Sequence, residues 1–135
     1  MKGIFWRFVL RHHQIKYGFQ IYPETKIGAG FYLGHWGTLV INPKTKIGKN
    51  CNIAQGVTIA QANRGRNEGV PEIGDEVWIG PNAVIVGKIK IGNNVLIAPN
   101  AYVSFDVPSN SVVIGNPGQI TPKENATEGY INNKI

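Results

Sequence analysis

The sequence contains little of what several common protein classes require. Its single cysteine, Cys51, rules out an internal disulfide framework. No apolar stretch approaches the length of a membrane span, and Arg7 interrupts the short apolar stretch near the start, which argues against a signal peptide. We therefore predict a cytoplasmic protein. A length of 135 residues is sufficient for one domain with a substantial core.

Basic residues are in excess but scattered. The net charge is +6 and the pI is about 9.6, yet no two lysines or arginines are adjacent. The positive balance favours an anionic partner, such as a membrane headgroup or a phosphate-bearing cofactor, whereas the scattering argues against nucleic acid. No Gly-x-Gly-x-x-Gly sequence follows a strand and opens a helix, so a nucleotide-phosphate loop of that kind is excluded.

An aliphatic residue, which we call an anchor, returns every sixth residue in three long runs. Four positions after many anchors a second small or apolar residue recurs, as at Cys51, Val57 and Ala83, and glycine often follows the anchor directly. A fixed short period is typical of a solenoid. The anchors are Ile21, Ile27 and Leu33, then Ile41, Ile47, Ile53 and Ile59, and finally Ile73, Ile79, Ile85, Ile91, Ile97 and Val103.

A period of six fits a short strand followed by a tight turn. Three such units close one triangular coil, and stacked coils bury a column of β-branched side chains. Thirteen anchors therefore predict an all-β prism of four coils and a fraction. Glycine, asparagine and aspartate between the anchors suit the positive φ angles of tight corners. The alternative, a sandwich of ordinary strands, would recur at 8–12 residues with alternating polarity.

The repeat divides the chain into three segments. Residues 1–20 lack it, and their apolar spacing predicts a short helix that caps the open top of the prism, with docking to a membrane surface as the alternative. Residues 21–120 form the prism. Residues 121–135 are a polar tail, which we expect to be mobile near its end.

Two interruptions of the repeat are candidate functional regions. Between Leu33 and Ile41 the spacing is eight, which predicts a bulge containing Gly34, His35 and Trp36. Between Ile59 and Ile73 it is fourteen, which predicts a polar and basic loop over residues 60–72 that leaves the prism. Functional residues concentrate on loops that a rigid scaffold holds in place.

The repeat, the bulge Gly34-His35-Trp36-Gly37, the loop and the closing Gly115-Asn116-Pro117-Gly118 together resemble the hexapeptide-repeat acyltransferases. The nearest branch is similar to the serine O-acetyltransferases and their short relatives that O-acetylate surface polysaccharides. The resemblance covers roughly residues 20–123. It implies a left-handed parallel β-helix and a homotrimer, with active sites between neighbouring prisms.

His35 matches the catalytic histidine of that family. Transfer of an acetyl group to a hydroxyl needs a general base, and histidine suits this task near neutral pH. The resemblance implies that the acceptor hydroxyl attacks the thioester directly. Gly34 and Trp36 are candidate acceptor contacts beside it. His12 and His13 lie outside the matching region and are assigned no catalytic role.

The resemblance implies acetyl-CoA as the donor and no metal, since His35 is the one histidine within the repeats. The family's pantetheine arm lies along the prism edge, and its nucleotide phosphates lie near a lysine that Lys123 matches. Arg64 and Arg66 are candidates for binding either phosphate or an anionic acceptor. The matching positions for the donor are Ala60, Trp78, Pro81, Ala98, Pro99 and Lys123.

Two departures from the serine O-acetyltransferase pattern affect the predicted acceptor. An aspartate typically precedes the catalytic histidine where this chain has Gly34, and a second histidine stands where this chain has Val70. We therefore predict a CoA-dependent O-acetyltransferase that acts on a sugar or a surface polysaccharide precursor. The alternatives are an enzyme that resembles serine O-acetyltransferases and uses an amino-acid acceptor, and a non-catalytic β-helix scaffold.

Overall fold

One helix and a long coil of short strands make up residues 2–135, which the computed structural model describes. Met1, part of the predicted segment 1–20, lies outside the described residues. The helix α1 spans Lys2–Tyr17. The strands are β1 Phe19–Gln20, β2 Lys26–Ile27, β3 Tyr32–Leu33, β4 Leu39–Ile41, β5 Lys46–Ile47, β6 Asn52–Ile53, β7 Thr58–Ala60, β8 Glu72–Ile73, β9 Val77–Ile79, β10 Val84–Val86, β11 Lys90–Ile91, β12 Val95–Ile97, β13 Tyr102–Val103, β14 Ser111–Ile114 and β15 Gln119–Pro122.

The strands form three sheets, one on each side of a triangular prism. Face A contains β1, β4, β7, β10 and β13, face B contains β2, β5, β8 and β11, and face C contains β3, β6, β9, β12, β14 and β15. Every pairing between strands is parallel except that of β14 with β15. The predicted parallel β-helix is therefore confirmed.

The anchors of successive coils lie directly above one another. Ile59 pairs with Ile41 on one side and with Ile85 on the other, and Ile47 pairs with Ile73 on face B. The anchors from Ile41 onward are buried, as are the second residues Cys51, Val57, Val77, Ala83, Val95 and Ala101. Each such aliphatic side chain contributes about 1.5–3 kcal/mol of burial free energy. The predicted core is confirmed from the second coil onward.

Asparagine and glycine play separate roles at the corners of the prism. Asn50, Asn94 and Asn100 have φ angles of 55°, 53° and 60°, so asparagine supplies the left-handed turns. The glycine after an anchor has ordinary φ and is required by space instead. A Cβ at Gly48 would lie 2.5 Å from the Gly74 carbonyl oxygen and 2.6 Å from its carbon. The prediction that these glycines serve positive φ angles is therefore wrong for Gly48.

The C-terminal tail packs along the prism. Tyr130 accepts a hydrogen bond from the Asn52 side chain through its carbonyl oxygen at 3.0 Å, and the Ile135 N–H donates to Asn50 Oδ1 at 3.0 Å. Ala126, Thr127 and Ile131 are buried. Asparagines at the coil corners therefore offer the tail hydrogen bonds, and the tail buries three of its side chains along the prism. Mobility near its end stays a prediction.

Helix α1 is present as predicted, but it does not bury its apolar residues over the top of the prism. Ile4, Phe5, Phe8 and Ile15 are exposed, and the first-coil residues are only partly buried. Polar contacts hold the helix in place instead. Gly37 donates its N–H to the Tyr17 carbonyl at 3.0 Å, and an ion pair from Arg7 to Glu24 at 2.7 Å lowers the pKa of that carboxyl. Within residues 2–135, no helix has the length and apolar character needed to cross a bilayer.

The predicted loop over residues 60–72 is confirmed as an excursion, and it is anchored rather than free. An antiparallel bridge joins Ala62 to Gly69, so the loop folds as a short ribbon. Asn67 then fixes the ribbon to the prism, because its side chain donates to the Ser104 carbonyl at 2.8 Å and its own carbonyl accepts from the Lys88 N–H at 2.8 Å.

Candidate active site

His35 lies in the bulge between β3 on face C and β4 on face A, so it occupies the corner between these faces. Its side chain is exposed, as the sequence predicts, and Trp36 beside it is 83% exposed. A Cβ at Gly34 would meet only a Tyr32 ring carbon, at 3.4 Å. A side chain would therefore fit at position 34.

Two cavities adjoin His35. The first, of about 320 Å³, is lined mainly by apolar side chains, among them those of Tyr17, Leu33 and Trp36. The second, of about 310 Å³, has polar groups from Asn52, Gln55 and Tyr130. Both cavities include Gly34 and His35, and no lysine, arginine, aspartate or glutamate lines either of them. Among residues 2–135, the His35 imidazole is the only readily ionised side chain in the walls of these cavities.

A groove on face C adjoins the second cavity. It has a volume of about 730 Å³, and Lys123 is among its lining residues. Trp78 and Tyr130 line both the second cavity and the groove, and their ring centres are 4.7 Å apart. The second cavity, beside His35, and the groove, which includes Lys123, therefore meet at the Trp78–Tyr130 pair. We call the cavity and the groove together the face C channel.

The face C channel brings together most of the residues that the sequence predicts for the donor. Trp78, Ala98, Pro99 and Lys123 line the groove, and Pro81 lines the cavity beside His35. Ala60 does not join them, because it ends β7 on face A, where it pairs with Val86. A single chain therefore assembles five of the six predicted donor contacts.

The predicted acceptor residues divide into two places. Gly34 and Trp36 lie beside His35 in the first cavity. Arg64 and Arg66 are exposed on the loop between β7 and β8, at the corner between faces A and B. Within one chain the two arginines and the imidazole thus occupy different corners of the prism.

Sequence reasoning missed Tyr130 and Gln55. Tyr130 belongs to the tail that was expected to be mobile, and only its packing on Trp78 shows that it forms a wall of the channel. Gln55 lies in the coil next to the bulge, and its side-chain oxygen is buried without a hydrogen-bond partner among residues 2–135. Gln55 follows its anchor Ile53 by two residues, as His35 follows Leu33, and Leu33 pairs with Ile53 on adjacent coils, so the repeat itself could have placed the two side chains together.

Other reactive groups in the described part of the chain lie elsewhere or are inert. Burial raises the pKa of the Cys51 thiol to about 11, so it is protonated near neutral pH and is a poor nucleophile. The hydrogen bond from Lys46 lowers the pKa of Glu72, and this pair lies on face B. No three His, Cys, Asp or Glu side chains between residues 2 and 135 are grouped as metal ligands. His35 is thus the group best placed to act as a base.

Comparison with known proteins agrees with this geometry. Residues 71–104 match the family described as bacterial transferase hexapeptide (six repeats). A serine acetyltransferase of Staphylococcus aureus is 39% identical over 112 residues, which cover 83% of this chain and 53% of that protein. The chain spans about half the length of the curated bacterial relative it matches.

Solved structures show the same similarity in three dimensions. A Neisseria gonorrhoeae serine acetyltransferase in complex with serine aligns with a TM-score of 0.76 and 34% identity, over 89% of this chain and 49% of that one. A Brucella abortus serine acetyltransferase in complex with coenzyme A aligns with a TM-score of 0.70 and 32% identity, over 77% of this chain and 42% of that one. The agreement confirms the predicted left-handed parallel β-helix.

Proposed function

We propose that this chain, which belongs to the hexapeptide-repeat acyltransferases of the serine O-acetyltransferase-like type, transfers an acetyl group from acetyl-CoA to a hydroxyl group. One observation carries the proposal. The exposed imidazole of His35 lines one part of the face C channel and the cationic side chain of Lys123 lines the other, and the two parts share Trp78 and Tyr130. A long thioester with phosphates at one end and the reactive carbonyl at the other fits such a channel.

His35 would act as the general base. Its neutral imidazole takes the proton from the acceptor hydroxyl as the oxygen attacks the thioester carbonyl, which gives a tetrahedral oxyanion. The C–S bond then breaks, the thiolate of CoA leaves, and the imidazolium returns the proton to the sulfur. Gln55 is the side chain we assign to the oxyanion, because its amide group lies in the cavity that includes His35 and can donate a hydrogen bond there.

The donor would lie along face C with its pantetheine arm against Trp78, Ala98 and Pro99. Pro99 has no N–H, and the Ala98 N–H already donates to the Val113 carbonyl at 2.8 Å. The backbone at Ala98 and Pro99 therefore offers no free N–H to the pantetheine amides. The apolar wall formed by Trp78 and Tyr130 supplies contact area instead.

For the acceptor, the comparisons favour an amino acid such as serine over the sugar that the sequence predicts. The relatives are serine acetyltransferases, and one of them is solved in complex with serine. No charged side chain lines the cavities at His35, so the ammonium and carboxylate of an amino acid need partners from outside them. A neighbouring copy in a trimer could supply Arg64, Arg66 and Glu68 from its loop.

An acceptor screen tests the proposed reaction. The protein is mixed with acetyl-CoA and either L-serine, other hydroxyl amino acids or a panel of sugars, and the release of free thiol is followed. We expect thiol release that depends on the hydroxyl acceptor and is fastest with an amino acid of the serine type. Turnover with sugars alone would support acetyl transfer to a hydroxyl but would contradict the assignment of an amino-acid acceptor. Tight binding of CoA without turnover on any acceptor would contradict the assignment of an enzymatic activity and would favour a non-catalytic scaffold.

Lys123 is expected to hold the phosphates of the donor. We predict that Lys123→Ala raises the KM for acetyl-CoA by roughly fivefold and leaves kcat nearly unchanged, because an exposed charge contact of about 1 kcal/mol is made equally in the ground state and the transition state. Steady-state kinetics with varied acetyl-CoA provide the measurement. Lys44→Ala, on an exposed lysine outside the channel, is the matched control and should leave KM at the wild-type value. Equal effects of the two variants would contradict the assignment.

A further inference from the structure

Helix α1 carries an apolar face of largely exposed side chains. Ile4, Phe5, Phe8 and Ile15 are 61–73% exposed. At 3.6 residues per turn these four side chains fall within an arc of about 100°. Leu10 and Gln14, which are partly buried, lie on the other side of the helix, where Gln14 donates to the Ile21 carbonyl. The helix therefore turns the polar side chain of Gln14 toward the prism and these four apolar side chains outward.

The borders of this face are cationic. Arg11 and Lys16 lie on either side of the apolar arc, and the helix contains no aspartate or glutamate. Arg7 is occupied by its ion pair with Glu24. An apolar face with aromatic residues between cationic borders is the pattern of a helix that lies in the headgroup region of an anionic bilayer. A helix of 16 residues is too short to span the hydrocarbon core.

From these observations we propose that helix α1 docks the protein onto the surface of a membrane containing anionic lipid. Phe5, Phe8, Ile4 and Ile15 enter the headgroup and acyl boundary, while Arg11 and Lys16 contact lipid phosphates. Pairing with the same face of a second copy is disfavoured, because it would bring two helices without acidic residues together and oppose like charges. A bilayer with anionic lipid offers acyl chains to the apolar arc and phosphates to its cationic borders. Its negative charge also suits the net charge of +6.

Docking would place the active-site corner close to the lipid. Tyr17, at the end of α1, lines the same cavity as His35, and its carbonyl accepts the hydrogen bond from Gly37 that ties the helix to the bulge. The inference goes beyond the proposed acetyl transfer and does not depend on it, since binding to lipid can be measured without turnover.

The test is flotation of the intact protein with vesicles of phosphatidylcholine alone and of phosphatidylcholine mixed with phosphatidylglycerol. We expect binding to the mixed vesicles and little binding to the neutral ones. The double variant Phe5→Ser/Phe8→Ser should lower the bound fraction by about tenfold or more, and Arg11→Glu/Lys16→Glu should abolish the preference for phosphatidylglycerol. These side chains are exposed, and circular dichroism should show an unchanged fold.

The matched control is Ile114→Ser, which removes an apolar side chain that is 58% exposed on face C, away from the helix. It should bind the mixed vesicles as the wild type does. Absence of wild-type binding to the mixed vesicles would overturn the proposal, as would equal loss in Ile114→Ser and Phe5→Ser/Phe8→Ser. Sedimentation of the protein without lipid can also contradict the proposal. A wild-type assembly that the Phe5→Ser/Phe8→Ser variant breaks apart would assign the face to a second copy.

Discussion

His35→Ala should lower kcat for acetyl transfer by about 10²–10⁴-fold, the range typical of removing a general base. The KM for acetyl-CoA should stay near the wild-type value, because the donor contacts along face C are untouched. The hydroxyl acceptor is a weak nucleophile while protonated, and no aspartate, glutamate or second histidine lines the cavities at His35 to replace the base. Thiol release under saturating donor is the measurement.

His12→Ala provides the matched control, since His12 is an exposed histidine on α1 that lines neither cavity. It should retain full activity. Both variants should elute at the wild-type size and unfold at the wild-type temperature, because neither imidazole is buried. Wild-type kcat in His35→Ala would rule out this residue as the base and would leave the face C channel without a catalytic group.

Gly48→Ala should destabilise the fold by on the order of 1–3 kcal/mol, the cost typical of overpacking. The added Cβ would lie 2.5 Å from the Gly74 carbonyl oxygen and 2.3 Å from the Asp75 carboxylate oxygen, so two coils must separate. The Gly48 N–H also donates to the Ile73 carbonyl at 2.9 Å, and this bond would lengthen. The measurement is urea-induced unfolding followed by circular dichroism.

Gly3→Ala is the control for this prediction. A Cβ at Gly3 would meet nothing within 4 Å, and alanine favours a helix, so the variant should be as stable as the wild type or slightly more so. If Gly48→Ala unfolds at the wild-type urea concentration, the close contact between successive coils that defines the prism is incorrect.

The repeat made most of the prism predictable. A period of six places each anchor directly above the anchor of the coil below, and this register leaves little freedom in the fold once the inward side chains are known. The bulge was predictable for the same reason, since any extra residue must leave the stack. The handedness was not predictable from the period, because inward and outward positions are the same in either hand.

What the sequence did not predict depends on packing between distant segments. Tyr130 contacts Trp78 across more than fifty positions of chain, and a polar tail shows no periodicity that would indicate such a contact. The exposed face of α1 was expected to cover the top of the prism because its apolar spacing is helical. The spacing identified the helix correctly, but it carries no information about which surface the helix contacts.

The acceptor was the least predictable part of the site. The resemblance to the serine O-acetyltransferases implies an aspartate and a histidine where this chain has Gly34 and Val70, and their absence suggested a sugar acceptor. The cavities at His35 have no charged wall in a single chain, which fits that suggestion, yet the relatives are serine acetyltransferases. A missing side chain shows which contact is lost and does not show which group replaces it.

The central claim is that a CoA thioester lies in the face C channel with its acyl end at His35. The most direct measurement is a crystal structure of the protein with CoA. We predict that the sulfur lies within hydrogen-bonding reach of the His35 imidazole, that the pantetheine arm passes Trp78 and Tyr130, and that the phosphates lie near Lys123. CoA bound at another corner of the prism, with its sulfur away from His35, would contradict the account.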